Sequence, residues 1–488
     1  MRTRATTWMP GMVALVVVSG YGCKQIIGWE PATLMEPDAG GGGSGGEGGS
    51  GGEGGVGGVG GSGGEGGVGG SGGAGGAPPE CMVAADCQGE THEVGACELG
   101  KCVYTCEAGW DDCTAAPGCE TDLTTKENCG ACGNGCAAFC KAGTCNDPVS
   151  VAGGYHHHCA VLKDGEVYCW GRNEMGEVGA DAPILSKSPV KVSLPAPGSA
   201  KQVDGSGYFG GSYSARTCAV LTDGTVACWG EGNGTPTKVS SLTNIVHVSV
   251  GGGHYCAVNS VGGLYCWGRN NHGQVGNGST SFQPIPVLVD SDVVVVDAST
   301  THTCAVKKSG SVSCWGYNFQ GQLGIGSMNN SPSPTMVPGL ASISGVSCGE
   351  NHTCAMNSAG IWCWGGNQVG QLGIGSIMDK NVPQSLSLQG KSPTFIDLGY
   401  SDSFAVLDGQ LFAWGLNNFG QLGIGNTTNA HNPAGTGLQT VVAVRAGVRS
   451  ACALNDAGRT RCWGDNTYGQ LGDGTTTSKL TPTNVVWP

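Results

Sequence analysis

From residue 148 onward, apolar positions alternate with polar ones in short runs bounded by Gly, Asn, Asp and Pro. That period of two predicts half-buried β-strands, and no segment carries a convincing helical period. Residues 248–276, VSVGGGHYCAVNSVGGLYCWGRNNHGQVG, show the unit in full: an apolar strand, a Gly turn, a second strand ending Cys-Trp-Gly, then Asn and a Gly-Gln-Leu-Gly-like turn. Asp164-Gly165 and Asp223-Gly224 are tight-turn signals inside the hairpins. The unit recurs at Trp170, Trp229, Trp267, Trp315, Trp364, Trp414 and Trp463, and all intervals but the first lie between 38 and 50 residues.

A proline follows each Trp by 19 residues at Pro189, Pro334, Pro383, Pro433 and Pro482, and by 17 at Pro284. The second unit departs from this, reaching Pro236 seven residues after Trp229, so its Gly-Gln-Leu-Gly turn is deleted. The first interval of 59 residues holds an insertion at 201–214. A lone hairpin is marginal in water, so each unit must bury its face against neighbours. Seven units arranged radially predict an all-β, seven-bladed propeller over residues 147–488. The last unit stops at Val485-Val486-Trp487, and strands near 149–161 are expected to complete the last blade by strand exchange.

The pattern CAVxxxGxVxCWGxNxxGQLGxG resembles the repeat of the regulator of chromosome condensation family, which implies a seven-bladed β-propeller. That family's nucleotide exchange on a nuclear GTPase and its chromatin binding are not expected here. A net charge of −14 and pI near 5.1 oppose contact with phosphate backbones, so no nucleic-acid partner is expected.

The 26 cysteines divide into Cys23, twelve between Cys81 and Cys145, and thirteen in the repeats. Six units carry a pair flanking the hairpin: Cys159 with Cys169, Cys218 with Cys228, Cys256 with Cys266, Cys304 with Cys314, Cys354 with Cys363, and Cys452 with Cys462. In the remaining unit Phe404 and Ala413 replace both members together, as disulfide bonding requires and metal ligation does not. Opposed strand residues lie within disulfide reach. Cys348 is left over and reads as a small buried hydrophobe.

Disulfides at this density call for an oxidising compartment. Arg2 and Arg4 precede an apolar stretch at 12–18 that ends near Cys23. This resembles a bacterial lipoprotein signal, which implies lipidation of Cys23, although Gly20 and Tyr21 depart from the usual motif. Residues 1–23 are thus read as a signal segment and 24–80 as a Gly-rich, disordered tether. Its 39–77 core has a root-mean-square span of roughly 35 Å. Residues 81–146 form a small cysteine-rich module, for which six disulfides outweigh a zinc knuckle at Cys129 and Cys132.

No cofactor motif, acid pair or nucleophile triad stands apart from the repeat. The triplet His156-His157-His158 looks like a metal site, but His157 aligns with His254, His302 and His352, a structural position of the repeat. No metal or catalytic residue is therefore assigned. The expected function is a non-catalytic surface or secreted interaction module with a protein or glycan partner, monomeric and held to a membrane only by its lipid. Tyr208 and Phe209 in the insertion and Phe282 in a loop are the candidate partner-binding residues. A structural envelope protein, or an exported hydrolase or lyase using the central channel, are the alternatives.

Overall fold

A computed structural model describes residues 93–488 except 100, 109, 112–120, 130–134 and 210–211. Cys23 and the Gly-rich tether lie outside the described residues. The chain divides into two compact units near Cys106/Glu107. In the first, strands Glu93–Glu98 and Lys101–Cys106 form an antiparallel hairpin.

From residue 148 the chain builds seven four-stranded antiparallel sheets, each from four consecutive strands. Blade four is representative: Val293–Ala298 innermost, then His302–Lys307, Val312–Gly316 and Ser331–Met336 at the rim. The inner strands are buried almost throughout, on both faces, because neighbouring blades cover them, and the outer ones only partly, so the half-buried alternation expected from the sequence is not what the inner strands show. The fixed proline sits in this outermost strand, where a free edge would otherwise template pairing with another chain. Pro cannot donate to such a ladder and blunts the edge.

Ring closure differs from the strand-exchange expectation. Blade seven supplies all four of its own strands, ending at Lys479–Asn484, and the strands Pro148–Gly153 and His157–Leu162 belong wholly to blade one. The physical reason is phase: each unit opens on its axial strand and closes on its rim strand, so no blade is left a strand short. The seam carries the Trp-to-turn bond found at the other seams that keep a Gly-Gln-Leu-Gly-like turn. Trp170 Nε1 donates to the Gln470 carbonyl at 3.0 Å, and Gly474 N donates to the Lys187 carbonyl at 3.0 Å.

An aromatic clasp is added at this seam. Phe139 packs on Tyr168 and Trp487 with centroids 5.2 and 5.9 Å apart, and Trp487 in turn meets Trp170 edge-on at 5.9 Å. Phe139 precedes the ring within the same compact unit, on a segment stapled by Cys129–Cys140 and Cys136–Cys145. Asp147 Oδ1 caps the amides of Ala137 and Ala138 at 2.7 and 3.0 Å, fixing that segment against blade one.

The six hairpin cysteine pairs are bonded, with Cα–Cα separations of 4.0–4.1 Å. Phe404 and Ala413 face each other in the equivalent register. Cys348 is buried, with its thiol donating to the Asp297 carbonyl at 3.4 Å.

Candidate functional site

Each repeat residue finds its use at the seams. In the turn after the third strand, the Asn side chain holds the loop: Asn318 Oδ1 accepts from Leu323 N at 2.9 Å, and its amide donates to the Ser327 and Asn329 carbonyls. This is the backbone-bonding turn role expected of Asn. The turn pushes Leu323 under Trp364 of the next blade, and both are fully buried. It also presents the Gln322 carbonyl, which accepts from Trp364 Nε1 at 2.9 Å. Gly324 adopts φ +69°, and a Cβ there would stand 2.5 Å from Trp364 Nε1. The Gly-Gln-Leu-Gly turn is therefore an inter-blade bolt, with no phosphate role.

The histidine column forms a second tie. Thr353 Oγ1 donates to the Gln322 carbonyl at 2.8 Å, so its oxygen must accept from His302 Nε2–H, 2.9 Å away. The same relay joins His157 to Thr217, His254 to Thr303 and His352 to Ser403 at 2.8–2.9 Å. At the closing seam the order is inverted, with His158 Nε2 3.0 Å from Ser450 Oγ. Burial pushes His157, His254, His302 and His352 down to about 3 and His158 to about 4, so all are neutral at pH 7.

The His triplet does not converge on a point. His157 and His158 bond in opposite seams, while His156 lies between Tyr155 and Tyr468 with centroids at 4.1 and 4.7 Å. Among the described residues, the other close groups of metal-ligand types are Cys129, Cys136 and Cys145, and His302, Cys304 and Cys348. In these, Cys129, Cys136, Cys145 and Cys304 are spent in disulfides, and His302 is bonded through both ring nitrogens.

The axis carries a feature invisible in the repeat consensus. One inner-strand position reads Asp204, Ser249, Asp297, Ser347, Asp397 and Arg445 from blades two to seven. Each of the first five accepts from a main-chain N–H of the following blade: Val250, Ala298, Cys348, Leu398 and Ala446, at 2.7–3.1 Å. Arg445 Nη1 donates back to Asp397 Oδ1 at 3.3 Å. Partners 46–51 residues apart form this girdle, so no local motif announces it. The cavity above it has a volume of about 100 Å³ and is lined by Asp204, Asp297, Asp397, Glu350 and Arg445. Burial raises Glu350 to about 7. The aspartates are already engaged as acceptors, and the room suits a few waters rather than a sugar ring.

Strand alternation puts the first-to-second and third-to-fourth connections of all blades at one end of the ring. The insertion rises there. Strands Ala200–Phe209 and Ser212–Leu221 of blade two run ten residues each, pairing Tyr208 with Tyr213 and Phe209 with Ser212. The side chains of Tyr208 and Phe209 lie outside the described residues, so only their place near the hairpin tip is known. Phe282, in a third-to-fourth connection of blade three, is 66% exposed at the same end. Phe319 and Tyr317 stack there with centroids 6.4 Å apart, and Arg449 lies 4.2 Å over Phe419. Sequence reading missed the Arg449–Phe419 pair because it spans two blades.

A closed ring of seven such bolted blades defines an RCC1-like propeller, and residues 232–487 match the RCC1-like domain. Residues 149–177 and 164–210 match the regulator of chromosome condensation (RCC1) repeat. The chain belongs to this family. It is 27% identical over 146 residues to Protein pim1 of Schizosaccharomyces pombe, covering 30% of this chain and 21% of that protein. To the human E3 ubiquitin-protein ligase HERC2 it is 30% identical over 145 residues, 27% of this chain and 3% of the ligase. The chain thus spans a small part of these relatives. Yeast RCC1 (Prp20), solved bound to Kap60, superposes with TM-score 0.59 at 21% identity, over 66% of this chain and 83% of that one. Prp20p of Saccharomyces cerevisiae, solved in work on its binding to Gsp1p and histones, gives 0.58 at 22% identity, over 66% and 86%. Both likenesses are of fold.

Proposed function

We propose that the ring is a non-catalytic protein-binding module of an exported, lipid-anchored protein, and that its partner docks on the end bearing the blade-two hairpin. The extended hairpin carries this reading. It is the one place where a blade's axial strands outgrow the repeat, and Phe282 and Phe319 are exposed at the same end of the ring. Aromatic anchors of this kind dominate protein interfaces. Related propellers solved with or for protein partners support the class of ligand. The six hairpin bridges, together with Cys129–Cys140 and Cys136–Cys145, suit an oxidising compartment. The axial carboxylates favour no hydrolytic reading, because Asp297 and Asp397 are buried and hold backbone amides.

The test uses the full chain from its native envelope, cross-linked to neighbours and compared with a chain whose residues 206–213 are replaced by a two-residue turn. A saturable protein partner captured by the first and lost by the second supports the reading. Equal capture by both, or recovery of a cleaved glycan product instead, would sink it. Replacing Cys23 by Ala and fractionating the cells tests the anchor separately, with release from the membrane expected.

A further inference from the structure

The seven seams are not alike. Four use the imidazole–hydroxyl relay, the closing seam uses its inverted form, and the seam of blades two and three substitutes Arg216 over Tyr255 at 4.9 Å. At blades six and seven, Asp402 stands at the histidine position and Ala451 at the hydroxyl position. Asp402 is fully buried; the Ser401 and Asp402 main-chain N–H groups act on its carboxylate, but neither oxygen makes a hydrogen bond of good geometry. The carboxylate lies against Gly399, where a Cβ would be 2.7 and 2.9 Å from its oxygens and 2.9 Å from the Gly447 carbonyl oxygen.

The loss of the hydroxyl has a second effect. In the relay seams one turn carbonyl takes two donors, as Gln371 does from Trp414 Nε1 at 2.9 Å and Ser403 Oγ at 2.8 Å. Gln421 takes Trp463 Nε1 at 2.7 Å, and Ala451 has no hydroxyl to supply the other. The space an imidazole tip and a hydroxyl occupy elsewhere is therefore faced by the Asp402 carboxylate and by the Gln421 and Gly447 carbonyls. All three are acceptors. Asp397, the nearest other carboxylate acting on Asp402, is already matched by Arg445 at 3.3 Å.

A buried carboxylate without a well-aligned donor must be neutralised, and a space faced by these acceptors selects a guest that is positive or donates in several directions. We propose that the seam of blades six and seven binds one small monovalent cation (Na⁺, K⁺ or NH₄⁺) through Asp402 with the Gln421 and Gly447 carbonyl oxygens. The ion takes the place of the His–Thr pair and ties blade six to blade seven. A bare proton on Asp402 would serve one acceptor and leave the rest unmatched, whereas a cation serves all three.

The experiment melts the full chain in NaCl, KCl or NH₄Cl against tetramethylammonium chloride at constant ionic strength. The large ion cannot enter, so at least one small cation should raise the midpoint saturably. The rise should be about 2 °C at ten times its half-saturating concentration. Asp402→Asn should abolish that response, and so should Asp402→His with Ala451→Thr, which rebuilds the relay and guards against a folding failure in the single variant. A thallium-soaked crystal should place the heavy ion against Asp402. Midpoints identical in small cations and tetramethylammonium would overturn the site and leave Asp402 a neutral acid. An undiminished response in Asp402→Asn would overturn it equally.

Discussion

Acid should unfold this ring through its buried imidazoles. His157, His158, His254, His302 and His352 are fully buried, and their protonated forms are disfavoured down to pH 3–4. In the unfolded chain each titrates near 6.5. A group whose folded pKa is depressed gives full stability above the unfolded value and loses it as pH falls toward the folded one. The window is thus from about 6.5 down to about 3. At pH 5.0 the unfolded state gains about 2 kcal/mol per histidine by binding a proton the folded state refuses, or about 10 kcal/mol for five. Glu350 works the other way. Its pKa of about 7, raised by burial, means that it takes up a proton on folding and returns roughly 2 kcal/mol over the same interval. His156, lowered to about 4 by burial, adds to the loss, while Glu177 and Asp402, raised by burial, oppose it with Glu350; the imidazole contribution alone rivals the whole stability of an ordinary domain. Guanidinium unfolding of wild type and His302→Gln at pH 7.5 and 5.0 isolates one imidazole, because Glu350 and the other four cancel in the comparison. The variant should start less stable yet lose about 2 kcal/mol less on acidification. Equal losses in both proteins would show that His302 is not held neutral by burial, and the relay geometry would then be wrong.

Four further outcomes are expected. Gly324→Ala should cost about 3 kcal/mol or more, since it forces a side chain into a left-handed backbone and into the Trp364 indole; differential scanning calorimetry would show it. Replacing Cys256 and Cys266 together by Ala should cost about 2–3 kcal/mol for a bridge closing ten residues, read by thermal melting. The converse pair Phe404→Cys with Ala413→Cys should cross-link under air without raising the melting point, because the Phe404 contact with Trp463 is lost; mass mapping and melting decide it. Phe139→Ala and Trp487→Ala should each destabilise by about 2–4 kcal/mol and be strongly non-additive together, since both remove one clasp.

The parts of the fold that lie within one repeat were legible in the sequence. Cysteine pairs, the Asp-Gly turn, the Asn-held loop and the deleted turn of blade two depend on residues a dozen or so apart, and periodicity exposes them. Sheet phase was not legible, because a seven-fold repeat reads the same whichever strand is taken as first. The girdle of Asp204, Asp297 and Asp397 was hidden for another reason: its partners are a whole blade away, and Ser stands in alternate blades. Asp402 and Ala451 show the same limit. Each departs from its column alone, and only their meeting across a seam gives the departure meaning. At the ring end proposed for docking, the sequence singled out the blade-two insertion and Phe282 as candidates, while the pairing of Arg449 with Phe419 needed three dimensions.

Because every blade is cut from one uninterrupted stretch, no sheet depends on where the polypeptide happens to begin. Joining the two ends at the Phe139–Trp487 clasp and reopening the chain between blades, for example at residues 241–243, would leave all seven sheets whole. The order in which blades are synthesised is therefore separable from their assembly, and a circularly permuted chain could place its termini on any side of the ring.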